Sequence, residues 1–235
     1  FEVVVQAPVI IAPDVDVFGA GAFDLFERAD DVLRSSRADL GGNTALRNHH
    51  RKIWPARAEI AEHFGGIDIV INNAGIGAGA PVDDDDYETV WQRGQDVLIT
   101  AHVRMIRAAL PFLRKAEGGR IVNIASTEGL GATKHASAYS AAKTGVLGLT
   151  RSLAVEFGTE DITVNCICPG PIRTGLTDGI PEEQKQEFAR RRVALKRYAD
   201  PEEVAHMTLS LVLPAAGYVT GVALPVDGGL TIRNA

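Results

Sequence analysis

Short runs of apolar, largely β-branched residues recur through the chain at 67–71, 120–125, 162–167 and 219–226. Each is too short for a buried helix and is bounded by Gly, Pro or Asn, so each predicts a strand covered on both faces. Between them the apolar spacing lengthens to the helical period over 57–64, 87–113, 139–157, 181–192 and 200–213. Gly65-Gly66 and Gly158 stop two of these helices, and Asp200-Pro201-Glu202-Glu203 starts another with a cap, a first-turn Pro and a capping-box Glu. Strand and helix alternate from residue 57 onward, which implies a parallel sheet with helices on both faces. In such a sheet ligands gather at the carboxyl ends of the strands.

The first 60 residues follow this grammar less well. Residues 1–5 and 9–12 are β-like but are interrupted by Pro8 and Pro13. Residues 15–18, the pair Gly19 and Gly21, and an apolar stretch over 23–33 read as strand, turn and helix. That is the shape of a phosphate-binding turn and equally of an ordinary one. Between Gly21 and Asp39 there is too little chain for the second strand and helix of a complete doubly wound half. His49 and His50 are adjacent on a predicted helix and so face different ways, which favours a solvated face over a metal site.

Composition narrows the function classes. A chain of 235 residues, 46% apolar and 6% aromatic, can bury one sizeable core. Its net charge of −6 is spread out with no basic stripe, which argues against nucleic acid. No apolar run approaches a bilayer span of ~20 residues, and the Phe1-Glu-Val-Val-Val start has no secretory n-region. No membrane partner is expected. Cys166 and Cys168, two apart on a strand, share one face and are too few for a tetrahedral metal site. They are read as small buried hydrophobes in a reduced, cytoplasmic protein, and no metal is expected. The run Asp83–Asp86 precedes a helix and reads as a solvated acidic cap.

Ser126, Tyr139 and Lys143 carry the candidate chemistry. Tyr139 and Lys143 are four apart and stack on one helical face, while Ser126 ends the preceding strand. A phenol with an ordinary pKa of about 10 is a weak base at neutral pH. A neighbouring ammonium favours the phenolate and brings it into range as general acid or base. A serine hydroxyl can hold an oxygen on which charge develops. A lone Tyr-x-x-x-Lys is more often an ordinary helix surface, so the weight rests on its company. Asn72-Asn73-Ala74-Gly75 closes the 67–71 run: small residues admit a ligand to the backbone, and Asn side chains can tie strand ends together.

With these blocks in view, residues 65–235 resemble the short-chain dehydrogenase/reductase family. The resemblance rests on Asn72-Asn73-Ala74-Gly75, on Ser126 with Tyr139 and Lys143, on Asn165 with Pro169-Gly170, and on Val226-Asp227-Gly228-Gly229, in that order and spacing. It implies an α/β fold, a Rossmann-like doubly wound parallel sheet in a single domain over 1–235. Residues 1–64 would be an atypical cofactor half and 175–198 a substrate lid. It implies interconversion of a secondary alcohol and a ketone or aldehyde with NAD or NADP, NAD being the expectation. Tyr139 would be acid/base, Lys143 its partner and ribose anchor, and Ser126 the oxygen holder. Asp39 would touch the adenine; Asn73, Ala74 and Gly75 would lie against the ribose; Pro169, Gly170, Ile172 and Thr174 would hold the nicotinamide carboxamide and nearby phosphate. The final elements imply a homodimer or homotetramer. The family's fourth catalytic residue, an Asn, falls at Leu98, whose side chain neither donates nor accepts; its backbone carbonyl could still hold a water against Lys143. A binding or interaction protein on the same scaffold, without redox activity, is the alternative, favoured by Leu98 and the incomplete glycine turn and disfavoured by the intact trio. Arg190-Arg191-Arg192, within the lid, reads either as a selector of anionic substrates or as a solvated helix face.

Overall fold

The structure, a computed structural model, describes residues 9–12, 61 and 65–234. Five strands form one wholly parallel sheet in the order β1-β2-β3-β4-β5: β1 Val9–Ala12, β2 Ile69–Asn72, β3 Arg120–Ile124, β4 Thr163–Pro169 and β5 Ala223–Val226. Between them run α1 Tyr87–Gln95, a π turn Asp96–Thr100, α2 Ala101–Leu113, α3 Ser137–Phe157, α4 Glu182–Arg192 and α5 Pro201–Val212. The strands read as continuous apolar runs because helices cover both faces of the sheet.

The period of two sorts the strand side chains. Val70, Ile121 and Val164 pack with Ile106, Ala109 and Leu113 of α2 and Ala154 and Phe157 of α3. Ile69, Ile71, Val122, Ile124 and Ile167 point the other way, against Val204 and Leu211 of α5. Cys166 and Cys168 fall on the α3 side, fully buried beside Val146 and Leu147, as expected for small hydrophobes.

The helix expected over 87–113 spans those bounds, with the π turn at its middle. Leu98 lies inside that turn and is fully buried. The strand expected from residue 219 begins only at Ala223, because Val219 closes a turn onto Ala216 and Gly221 takes a positive φ of 76°. The strand of 9–12 is present as β1, pairing Ala12 with Asn72. The strand, turn and helix of 15–33, Asp39 and the 43–54 stretch lie outside the described residues. The 57–64 helix is described at Ala61 alone, helical and buried. Among the described residues no helix is long and apolar enough to cross a membrane, and no three His, Cys, Asp or Glu side chains are grouped to hold a metal ion.

Candidate active site

Three of the sequence-predicted blocks arrive at one place because parallel strands in register end together. Asn72 pairs with Asn123, and Ile124 with Ile167, so Asn73-Ala74-Gly75, Ser126 and Pro169-Gly170 all leave the same edge of the sheet. The N-terminal half of α3, carrying Tyr139 and Lys143, packs against the turn that follows Ser126. That turn comes close to the helix at Gly129: a Cβ there would stand 2.9 Å from both the Lys143 carbonyl oxygen and Leu147 Cδ1.

Ser126 is the N-cap of a short 3₁₀ turn, and its Oγ accepts the Glu128 N–H at 3.1 Å. The hydroxyl proton is then free to donate, and Ser126 lies close enough to Tyr139 to favour its phenolate. Lys143 Nζ stands 5.7 Å from the centre of the Tyr139 ring, within cation–π reach, and donates to the Ile124 carbonyl at 2.8 Å. The Glu128 carboxylate accepts from Thr133 N at 2.9 Å, Thr133 Oγ1 at 2.6 Å and Ser140 Oγ at 3.0 Å, pinning the 126–136 loop to α3 beside Tyr139.

The electrostatics differ from the sequence expectation in one respect. A lysine neighbour is expected to lower the phenol's pKa, yet here burial dominates and pushes Tyr139 above its ordinary value. The neighbouring Ser126 hydroxyl opposes that rise and the Glu128 charge adds to it. Burial also works against the charge of Lys143, lowering its pKa to about 8. The physical reason is common to both: the low-dielectric pocket disfavours either charged form.

Beneath these groups lies a polar clamp. Asn72 Nδ2 donates to Asn123 Oδ1 at 2.8 Å, and Asn123 Nδ2 donates to Thr150 Oγ1 of α3 at 3.0 Å, all three residues being buried. Two strand ends and the helix bearing Tyr139 and Lys143 are thus held by one pair of amides. The role of Asn72 in tying strand ends was legible in the sequence. Asn123 and Thr150 were missed, although an Asn inside the apolar run Arg120–Ile124 was the available signal.

The opposite wall is built from β4 and β5. Gly170 N–H donates to the Val226 carbonyl at 3.0 Å, and a Cβ on Gly170 would lie 2.7 Å from Asp227 Cα, so the two strand ends touch backbone to backbone. Asp227 accepts from Gly229 N, Thr231 N and Thr231 Oγ1 at 2.9, 2.8 and 2.7 Å. Burial works against its charge, but these bonds hold its carboxyl below the ordinary range. Ile172 is buried, and Thr174 sits beside Thr177, whose hydroxyl accepts the Thr174 N–H at 3.1 Å and donates to the Ile172 carbonyl at 2.8 Å. Asn165 bridges β4 to the segment before β5, donating to Val219 O at 2.7 Å and accepting from Val222 N at 3.2 Å.

A Cβ at Gly75 would meet nothing closer than 3.8 Å, so no described neighbour fills the space beside that backbone. The described residues of the expected cofactor set therefore share one edge, while Asp39 lies outside them. Arg190 and Arg191 both pair with Glu187 on the exposed face of α4, which favours the solvated-face reading of that basic run.

Comparison with known proteins gives the same picture. A family model described as enoyl-(acyl carrier protein) reductase matches residues 49–231. The meso-2,3-butanediol dehydrogenase of Serratia marcescens is 40% identical over 215 residues, covering 89% of this chain and 84% of its own. The D-beta-hydroxybutyrate dehydrogenase of Rhizobium meliloti is 39% identical over 233 residues, covering 92% and 88%. A blue fluorescent protein from a metagenomic library, solved in complex with NADPH, superposes with a TM-score of 0.70 at 32% identity, over 77% of this chain and 72% of its own.

Proposed function

The chain belongs to the short-chain dehydrogenase/reductase family, and on that premise we propose that Tyr139 is the general acid and base of its reaction, with Lys143 as electrostatic partner and Ser126 as holder of the substrate oxygen. The protein is an NAD(P)-dependent oxidoreductase that interconverts a secondary alcohol and a ketone. The observation that carries the assignment of roles is the Lys143 Nζ held 5.7 Å from the centre of the Tyr139 ring, one helical turn away, with Ser126 at the edge where three strands end.

In the reducing direction the carbonyl oxygen sits between the two hydroxyls. Ser126 donates to it, and Tyr139 delivers a proton as negative charge develops there. The Lys143 ammonium stabilises the phenolate left behind. The bound nicotinamide supplies the hydride, or accepts it in the reverse direction. Asn73, Ala74, Gly75, Pro169, Gly170, Ile172 and Thr174, with Tyr139 and Lys143, are the groups we assign to holding that cofactor. The choice between NAD and NADP, with NAD the expectation, rests on chain outside the described residues.

We assign 175–198 to a substrate lid. Leu176 supports this, because it reaches the segment after β2: a Cβ on Gly77 would lie 3.9 Å from Leu176 Cδ1. Exposed apolar side chains on this segment, Leu176, Ile180 and Phe188, suit a small organic alcohol or carbonyl. Exposed Met207, Leu209, Tyr218 and Val219 on and after α5 fit the homodimer or homotetramer expected of the final elements, and the free thiols fit a cytoplasmic setting.

Titration with NADH and NADPH tests the cofactor assignment without a substrate. Micromolar binding supports it and ranks the two; no binding up to millimolar refutes it and favours a binding or interaction protein. With a carbonyl that the protein reduces, Tyr139→Phe removes the proton and keeps the ring. The expected loss is about 10²–10⁴-fold in kcat; undiminished turnover would refute the acid/base role.

A further inference from the structure

His102 is the one buried side chain of the described residues whose two ring nitrogens are both without a hydrogen-bond partner. It is 1% exposed and lies in the first turn of α2. Buried polar atoms are ordinarily paired, so two orphans on one ring need a reason. The surroundings supply one. Gly94, Leu98, His102 and Ile106 form the buried stripe of the α1–α2 run. A spacing of four drifts about 40° per turn on a regular α-helix. The π turn, closed by the Ala101 N–H on the Asp96 carbonyl, widens the helix there and helps keep Leu98 and His102 on the same side.

That side faces α3. Leu98 packs with Ala138 and Ala142, and Ile99 lies so near Gly145 that an added Cβ would stand 2.6 Å from its Cδ1. Lys143 is on the same stretch of α3, buried, and its charge acts directly on His102. Among the described residues the Lys143 ammonium donates to one acceptor, the Ile124 carbonyl, although it carries three donors. Leu98, which packs with Ala142, offers no side-chain acceptor. An imidazole one turn further on does.

We propose that His102 is a positioning residue for the reaction: its neutral ring, joined to Lys143 through a buried water, is the side-chain acceptor that holds the lysine in its ammonium form beside Tyr139. This inference rests on the role given to Lys143 above. Burial and the Lys143 charge take the ring's pKa down to about 3, so at working pH it has one lone pair to offer and one N–H. The titratable groups around Lys143 are Tyr139 on its own helix, Cys166 and Cys168 on β4 and His102 on α2, with Glu128 acting on Tyr139 from the loop after β3. With its pKa near 3, His102 stays uncharged while Lys143 changes state.

The test is a ¹³Cε-lysine NMR titration of the full chain, with Lys143→Arg used to assign the resonance. Wild type should show Lys143 titrating near 8. His102→Leu should move that inflection down by about one unit, a tenfold loss of the ammonium form. His102→Gln, which keeps an acceptor, should stay near wild type. Adding Leu98→Asn to His102→Leu should bring the inflection back up. The alkaline limb of kcat for carbonyl reduction should move with the NMR inflection while KM holds. A Lys143 inflection that is the same in wild type and His102→Leu would overturn the proposal and leave His102 as core filling. Failure of wild type to reduce any carbonyl would instead count against the enzymatic reading, and the NMR result would still decide His102.

Discussion

Asn123 offers the sharpest test of how the site is held. It is fully buried in the middle strand of the clamp, accepts from Asn72 at 2.8 Å and donates to Thr150 at 3.0 Å. Replacing it with alanine removes two neutral hydrogen bonds, worth about 1 kcal/mol each net. It also strands the Asn72 amide N–H in a site closed to water, at about 1–3 kcal/mol. Loss of the side-chain volume between β3 and α3 adds a small cavity term. Before that cavity term the total is about 3–5 kcal/mol. For a chain of this size that corresponds to a fall in Tm of roughly 6–20 °C. Urea unfolding followed by circular dichroism reads the loss as a shift of midpoint at unchanged slope. A cycle with Asn72→Ala should show a coupling of about 0.5–3 kcal/mol, because the two side chains touch. Turnover should fall as well, since the clamp fixes α3 against the strand that ends at Ser126. A loss under about 1 kcal/mol with no coupling would refute the clamp and imply that these amides are solvated.

Two further predictions follow from the same pocket. Gly129→Ala places a methyl 2.9 Å from the Lys143 carbonyl and from Leu147, and the backbone side of that contact cannot yield cheaply. The expected cost is about 1–3 kcal/mol and a larger fall in kcat/KM, because the turn carrying Ser126 is pushed off α3; Gly158→Ala, which meets nothing within 4 Å, is the matched control, and equal activity in the two variants would contradict the reasoning. His102 predicts a pH effect on stability. Its folded pKa, about 3, lies below the ordinary 6.5, so between these values the unfolded chain binds more protons and stability falls with falling pH by up to ~1.4 kcal/mol per unit. Urea midpoints at pH 7 and pH 5 should therefore converge in His102→Leu relative to wild type, and parallel shifts in the two proteins would show that the ring is not held neutral.

Much of the fold was legible because its signals are local. Continuous apolar runs of strand length separated by helical spacing require a covered parallel sheet, and the observed strands fall on those runs within a few residues. The one strand that was overextended, 219–226, shows the limit: apolar character continues through Val219 and Val222, but Gly221 at positive φ and the turn onto Ala216 delay the ladder to Ala223. Ser126, Tyr139 and Lys143 were legible as a set because their spacing on a strand end and one helix face already limits how far apart they can be.

What the sequence determined by itself is the inventory of strands and helices, the edge at which their carboxyl ends gather, and the three side chains to which the proposed chemistry is assigned. Tertiary structure alone decided the direction of the Tyr139 shift, which depends on how completely neighbouring elements exclude water. It also decided the Asn72–Asn123–Thr150 clamp, which joins residues 51 and 27 positions apart. It brought the face of His102 against the helix that bears Lys143. Periodicity reports which face of one element is buried. Hydrogen bonds between elements and the cost of a charge among them are set by what lies across the gap, and no single segment of sequence contains both sides.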